Sequence, residues 1–213
     1  MPLPRPSPKD GFTFTWDPSV EHLNVSMKEY VSTHAGLDAT CTGALVFSRA
    51  AAGGGDGQED RILLMQRAPT DSMPLRWEVP GGGCDWDDAS LLHALARELW
   101  EESGLLLRAV VRQVGEPHLF ATRRGLRIAK FTFEVQVEGE GGALPQVTLD
   151  PNEHVRFLWA TEEECRRHRV AVGDGGEEVV DIEFTTKAQF EDILLGYRLR
   201  REAEVKAVES VLA

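Results

Sequence analysis

Between residues 126 and 138, LRIAKFTFEVQVE, apolar and polar positions alternate: Ala129, Phe131, Phe133 and Val135 fall on one side, and Ile128, Lys130 and Thr132 on the other. A period of two is that of a strand with a covered face. Shorter apolar runs at 40–48 (TCTGALVFS), 61–67 (RILLMQR), 105–115, 118–122 and 155–160 (VRFLWA) read as further strands. RWEVPGGG (76–83) reads as a short strand ending in a turn, because proline stops ladder pairing and glycines permit positive φ. The pattern turns helical in DDASLLHALARELWEESG, from about Asp88 to a stop at Gly104. Capping-box spacing marks two short helices, Ser26 with Glu29 and Thr161 with Glu164. A last helix begins near Thr186 and presents Phe190, Ile193, Leu194 and Tyr197. Glycine-rich stretches at 49–60, 139–146 and 172–176 read as loops, the first as a long hairpin connection. Strands with helices before, between and after them predict an α/β/α sandwich on a mixed sheet.

Residues 1 to about 17 are proline-rich and read as a flexible tail, with Phe12, Phe14 and Trp16 as docking aromatics. The chain is expected to divide into an N-terminal extension, 1–38, comprising this tail and a short helix, and one domain over 39–213 that includes the C-terminal helix. Its 213 residues are 42% hydrophobic, enough for a core, and no apolar run is long enough to span a membrane or serve as a secretory leader. A soluble, cytoplasmic protein is the expectation. Cys41, Cys84 and Cys165 form no C-x-x-C pair and read as reduced packing residues. The net charge of −12 disfavours a nucleic-acid polymer, and Arg123, Arg124 and Arg127 are too small a patch to reverse that. A small phosphorylated ligand remains compatible, provided a divalent cation bridges acid to anion.

Acidity is concentrated in RELWEESGL, residues 97–105. At about 100° per residue, Glu102 lies about 40° and Glu101 about −60° from Glu98, so the three carboxylates share one arc. That arc overlaps the stripe of Leu91, Leu92, Leu95, Ala96 and Leu99, which puts Glu102 among leucines. The ordinary reading of helical glutamates is a solvated face, but no Lys or Arg follows at the supporting spacing. Like charges bordering a core repel and resist desolvation unless a cation neutralises them. Oxygen donors of this kind suit Mg²⁺ or Mn²⁺, and Arg97 can hold one carboxylate in place by a bidentate hydrogen bond.

RELWEESGL resembles the second half of the Nudix box, G-x5-E-x7-R-E-U-x-E-E-x-G-U with U aliphatic, and WEVPGG resembles the strand and turn that precede it. The likeness runs from about Cys41 to Trp159, and the extension and the LLHALARELWEE wording look like a eukaryotic, fungal-type branch of the family. One departure stands out: counting back from Arg97 places the first box glutamate at Ala89, whereas counting forward from Gly82 places it at Asp88. The loop holds one extra residue. Asp88 then stands in for the glutamate, supporting the loop and capping the helix.

The resemblance implies a Nudix-type fold and metal-dependent hydrolysis of a nucleoside diphosphate derivative, with water attacking phosphorus. On it, Glu98, Glu101 and Glu102 are the expected ligands of Mg²⁺ or Mn²⁺ and, with Arg97, the catalytic set. Arg67, Gly81, Gly82 and Glu153 are the expected substrate contacts, and Glu153 is also a candidate base, although an exposed loop acid and a surface ion pair are the plain readings of Glu153 and Arg67. Trp77 and Phe120 are either base-stacking or core aromatics. Among histidines, His93 reads as packing and His154, beside Glu153, as the one to test. The partner is expected to be a small nucleotide-type substrate, with no polymer and no membrane, and a homodimer is compatible with the family. Subclass positions after the box hold Phe120, Ala121 and Thr122, neither proline nor tyrosine, so the substrate stays open. Two other readings remain: a Nudix-fold module that binds or senses nucleotide without turnover, favoured by the shifted acid, and the isopentenyl diphosphate isomerase branch, whose cysteine and glutamate context is not evident.

Overall fold

The computed structural model describes residues 11–51, 58–139, 144–173 and 178–212. In chain order the elements are β1 (Thr15–Trp16), a 3-10 turn (Pro18–Leu23), α1 (Met27–Thr33), β2 (Ala39–Ala51), β3 (Gln58–Arg67), β4 (Trp77–Glu78), α2 (Leu91–Ser103) and β5 (Leu107–Gln113). They continue with β6 (His118–Ala121), β7 (Arg127–Val137), β8 (His154–Ala160), α3 (Glu162–Arg167), β9 (Arg169–Val172), β10 (Glu178–Asp181) and α4 (Lys187–Leu212). The main sheet runs β1-β5-β7-β2-β3-β4, with β6 also on β7 and β8 also on β3, and β9 pairs with β10 apart from it. Strands β2 and β7 are parallel while β5–β7 and β3–β8 are antiparallel, so the sheet is mixed as expected.

Both faces of this sheet are covered. Ala44 and Val46 of β2 face a core shared with α1 and α2, whereas Leu45 and Phe47 face a second core shared with α4. That is why β2 is apolar without alternation and β7 is not: the second face of β7 carries Lys130, Thr132 and Glu134, and Glu134 is neutralised there by Arg112 and by Arg200 of α4. Arg200 also pairs with Asp60 of β3, tying α4 across the sheet.

The detail that positions the site is a split between β2 and β3. They pair directly only from Phe47 to Ala51, and below that Pro80–Cys84 takes the place of β3. Thr42 N donates to Gly82 O at 2.9 Å, Ala44 N to Pro80 O at 2.8 Å, and Cys84 N to Thr40 O at 3.0 Å. The glycines thereby lie inside the sheet, directly over α2. Gly81 has φ +145°, and a Cβ there would stand 2.2 Å from Thr42 O; one at Gly82 would stand 2.6 Å from Glu98 Oε2. Side chains at either position would displace the backbone or the glutamate.

Several expectations shift. Helix α2 starts at Leu91, not near Asp88, with Ser90 as its cap accepting from His93 N at 3.2 Å. Gly104 ends it with φ 70°, as expected. Thr161 and Glu164 form a full capping box, whereas Ser26 accepts from Glu29 N without a recorded return bond. The first ten residues lie outside the described ones, but β1 pairs with β5, and Phe12, Phe14 and Trp16 pack against the main core beside Val20, Leu23 and Met27. The hairpin β9–β10 was not anticipated, because four-residue strands leave too short a pattern to read. Residues 52–57, 140–143 and 174–177 of the expected glycine loops fall outside the described residues. No helix among the described residues is long and apolar enough to cross a membrane.

Leu95 is fully buried on the α2 face that meets the sheet. Leu95→Ala is expected to lower stability by about 2–5 kcal/mol, read as a lower urea midpoint with unchanged slope.

Candidate active site

Helix α2, the glycine strip and the chain entering β8 converge on a cleft of about 520 Å³. Its lining includes Arg67, Glu78, Gly81, Gly82, Glu98, Glu102, Glu153 and His154. Of the three expected ligands, two face it. Glu101 lies outside this lining and is joined instead to Arg97, whose Nη1 donates to Glu101 Oε2 at 3.0 Å and to Glu98 Oε1 at 2.9 Å. The same guanidinium grips Asp88 bidentately, at 3.0 and 2.9 Å, and donates to Gly83 O at 2.9 Å. Asp88 Oδ2 in turn accepts from Asp85 N at 2.7 Å. Asp88 therefore supports the loop as expected, but Ser90 does the capping.

Glu102 is 4% exposed. Gly81 N donates to its Oε2 at 2.6 Å, and no Arg or Lys pairs with it among the described residues. Burial, reinforced by the charges of Glu78 and Glu98, holds its carboxyl well above the usual glutamate range, against the pull of the Gly81 amide. Burial also pushes Glu98 up, to about 7; Arg97 opposes this, while Glu101 and Glu153 add to it. Glu78 goes the other way. Burial would raise it, but the hydrogen bond from His154 and the charge of Arg67 prevail and hold it below the usual range. Two buried carboxyls side by side thus differ because one has a cation and the other lacks one.

Glu78 joins the site without having been among the residues expected there. It is buried, contacts Arg67 Nη1 closely, and lies 3.0 Å from His154 Nε2. An acid between Trp77 and Val79, at the end of an apolar strand beside a glycine turn, was the available signal. His154 is 2% exposed, and its Nδ1, without a hydrogen-bond partner among the described residues, lies 4.0 Å from Glu102 Oε1. Arg67 lines the cleft and is held by Glu78 and by Asp71. Glu153 is exposed at the rim. Trp77 is a core residue, Phe120 is 46% exposed on β6, and His93 packs edge-on against Phe14.

Residues 50–180 match the family model for the NUDIX domain. No curated protein matches the chain. Among solved structures, the MutT protein from Methanosarcina mazei Go1 is similar with TM-score 0.50 and 23% identity, over 79% of this chain and 97% of that one. The NUDIX hydrolase from Nitrosomonas europaea gives 0.51 and 20%, over 75% and 88%. The NUDIX domain of Shewanella oneidensis NrtR, complexed with ADP ribose, gives 0.53 and 15%, over 82% and 98%. These likenesses extend to the fold.

The raised Glu98 carboxyl makes stability depend on pH in a defined direction. The folded chain retains this proton between about 4.5 and about 7 while the unfolded chain releases it, so stability is lost as pH rises through that window. Metal-free protein is expected to lose about 3 kcal/mol more than Glu98→Gln between pH 5 and 8 in urea titrations. Glu102 drives the same trend in both proteins and feels the Glu98 charge, so the difference reports Glu98 together with its coupling to Glu102.

Proposed function

The chain belongs to the NUDIX family, and we propose that it hydrolyses a phosphorus-containing anhydride, that its substrate is a nucleoside diphosphate derivative and that it depends on Mg²⁺ or Mn²⁺. The observation that carries this is the pair Glu98 and Glu102: one half-buried and one buried carboxyl facing one cleft, the second without an Arg or Lys partner among the described residues. Such a donor set fits a divalent cation that substrate phosphates help to hold. When bound, the cation neutralises charge on the diphosphate and makes water more acidic.

The chain's own residues supply the rest. Arg97 keeps Glu98 and Glu101 in register with the loop, and the Gly81–Gly82 strip lets a diphosphate approach the backbone without a side chain between. Water adds to one phosphorus, the bridging P–O bond breaks, and its electron pair leaves with the other phosphate. The water's proton passes to a carboxylate, for which exposed Glu153 at the rim is the candidate and Glu98, with its carboxyl at about 7, the alternative. Arg67, which lines the cleft, is the proposed phosphate contact.

The division into an extension over 1–38 and a NUDIX domain over 39–213 is supported by β2 beginning at Ala39, although β1 and α1 are packed onto the same core. Free cysteines support a cytoplasmic location. The fungal-type branch and a homodimer rest on the sequence resemblance alone. A module that holds nucleotide without turnover is the competing reading; Asp88, at the shifted position and fully engaged by Arg97, favours it.

The test is release of the two phosphate-bearing products, resolved by chromatography, from nucleoside triphosphates, nucleotide sugars, ADP-ribose, dinucleoside polyphosphates and NADH, with and without Mg²⁺ or Mn²⁺. Turnover of one class is expected, lost on chelation and reduced by about 100-fold or more in Glu102→Gln. Nucleotide binding without release across the panel would replace the enzyme by the module.

A further inference from the structure

His154 sits between the two buried carboxyls. Its Nε2 meets Glu78 Oε1 at 3.0 Å. Glu78, ion-paired with Arg67, is an acceptor there, so Nε2 carries the hydrogen and donates it. In the neutral ring the lone pair is then at Nδ1. That atom is buried, has no hydrogen-bond partner among the described residues, and lies 4.0 Å from Glu102 Oε1. The gap is too long for a hydrogen bond, but it is close to twice the roughly 2.1 Å that a first-row ion keeps from imidazole nitrogen or carboxylate oxygen. Glu102 is fixed for this by the Gly81 amide on its other oxygen. Glu78, His154 and Glu102 each offer a donor atom, all within 4.8 Å of one another, and all three line the cleft.

We propose that His154 Nδ1 is a ligand of the bound cation, oriented by Glu78 through Nε2–H and joined by Glu102, so that the site is a mixed nitrogen–oxygen site rather than an all-carboxylate one. This rests on the reading of the cleft as a divalent-metal site and refines it. The arrangement is the one in which a carboxylate sets the tautomer of a ligating histidine and strengthens it as a donor. A nitrogen donor disfavours Mg²⁺, which takes oxygen ligands, and favours Mn²⁺ and above all Co²⁺ or Zn²⁺. His154 here is a binding residue, and Glu78 a positioning residue acting through it.

The decisive experiment is pulsed electron paramagnetic resonance of Mn²⁺ bound to the full chain, prepared unlabelled and with ¹⁵N in histidine only, beside titrations of Mn²⁺ and Mg²⁺. The expected result is a directly coordinated nitrogen that changes from ¹⁴N to ¹⁵N with the label and disappears in His154→Asn. Mn²⁺ affinity should fall about 10- to 100-fold in both His154→Asn and Glu78→Gln, with Mg²⁺ affinity nearly unchanged in the first. The wild-type spectrum needs no variant, so a misfolded His154→Asn, recognised by circular dichroism, leaves the test intact. Absence of a histidine nitrogen on bound Mn²⁺, or of bound Mn²⁺ altogether, overturns the assignment. Turnover with no such coupling would sink the ligand and leave the hydrolase; coupling with no turnover on the panel would do the reverse.

Discussion

One half-buried guanidinium holds the functional end of this molecule together. Arg97 joins Asp88 of the loop, Glu98 and Glu101 of its own helix, and the carbonyl of Gly83 in the sheet. Burial alone would favour its neutral form, but the surrounding carboxylates hold it firmly protonated. A planar fork with five donors can bridge helix, loop and strand in this way; the point charge of a lysine could not. Removing it would leave several partly buried acids facing one another, so the loop with its extra residue, the helix and the glycine strip all depend on this group.

Two further groups of charge have different partners. On the α2 face, Arg67 answers Glu78 and leaves Glu102 without a cation. On the α4 face, Arg112 and Arg200 answer Glu134, while Arg49 and Arg200 answer Asp60. The second group is closed: its acids meet guanidiniums, and it ties α4 to the sheet. The first is open, with an unneutralised carboxyl and an unpartnered ring nitrogen facing a cleft. A fold that satisfies its buried charges on one face and withholds partners on the other separates structure from chemistry by electrostatics.

Close backbone approach is the second constraint. Because Pro80–Cys84 replaces β3 alongside β2, the strip bearing Gly81 and Gly82 lies against Glu98 and Glu102 instead of hanging in solvent. The N-terminal segment from Gly11 contributes from behind: Val20, Leu23 and Met27 complete the core on which α2 rests, and Leu91 N donates to Val25 O at 2.9 Å at the start of that helix. The extension therefore helps position the helix that carries the acids.

Much was legible in the chain because it depends on local spacing. The strands of the sheet, α2 with its stop at Gly104, the Thr161–Glu164 capping box and the glutamates on one arc all follow from periods of two and 3.6 and from end-residue chemistry. So does the burial of Glu102 among leucines. What local spacing cannot contain is which distant segments meet. The pairing of 80–84 with β2, the docking of β1 and the aromatics on the core, the withdrawal of Glu101 toward Arg97, and the meeting of Glu78 with His154 were decided by the tertiary structure alone. The physical reason is that a carboxylate's role depends on its neighbours: a cation, an amide or a bare ring nitrogen each makes a different group of the same glutamate, and folding alone determines which of them is there.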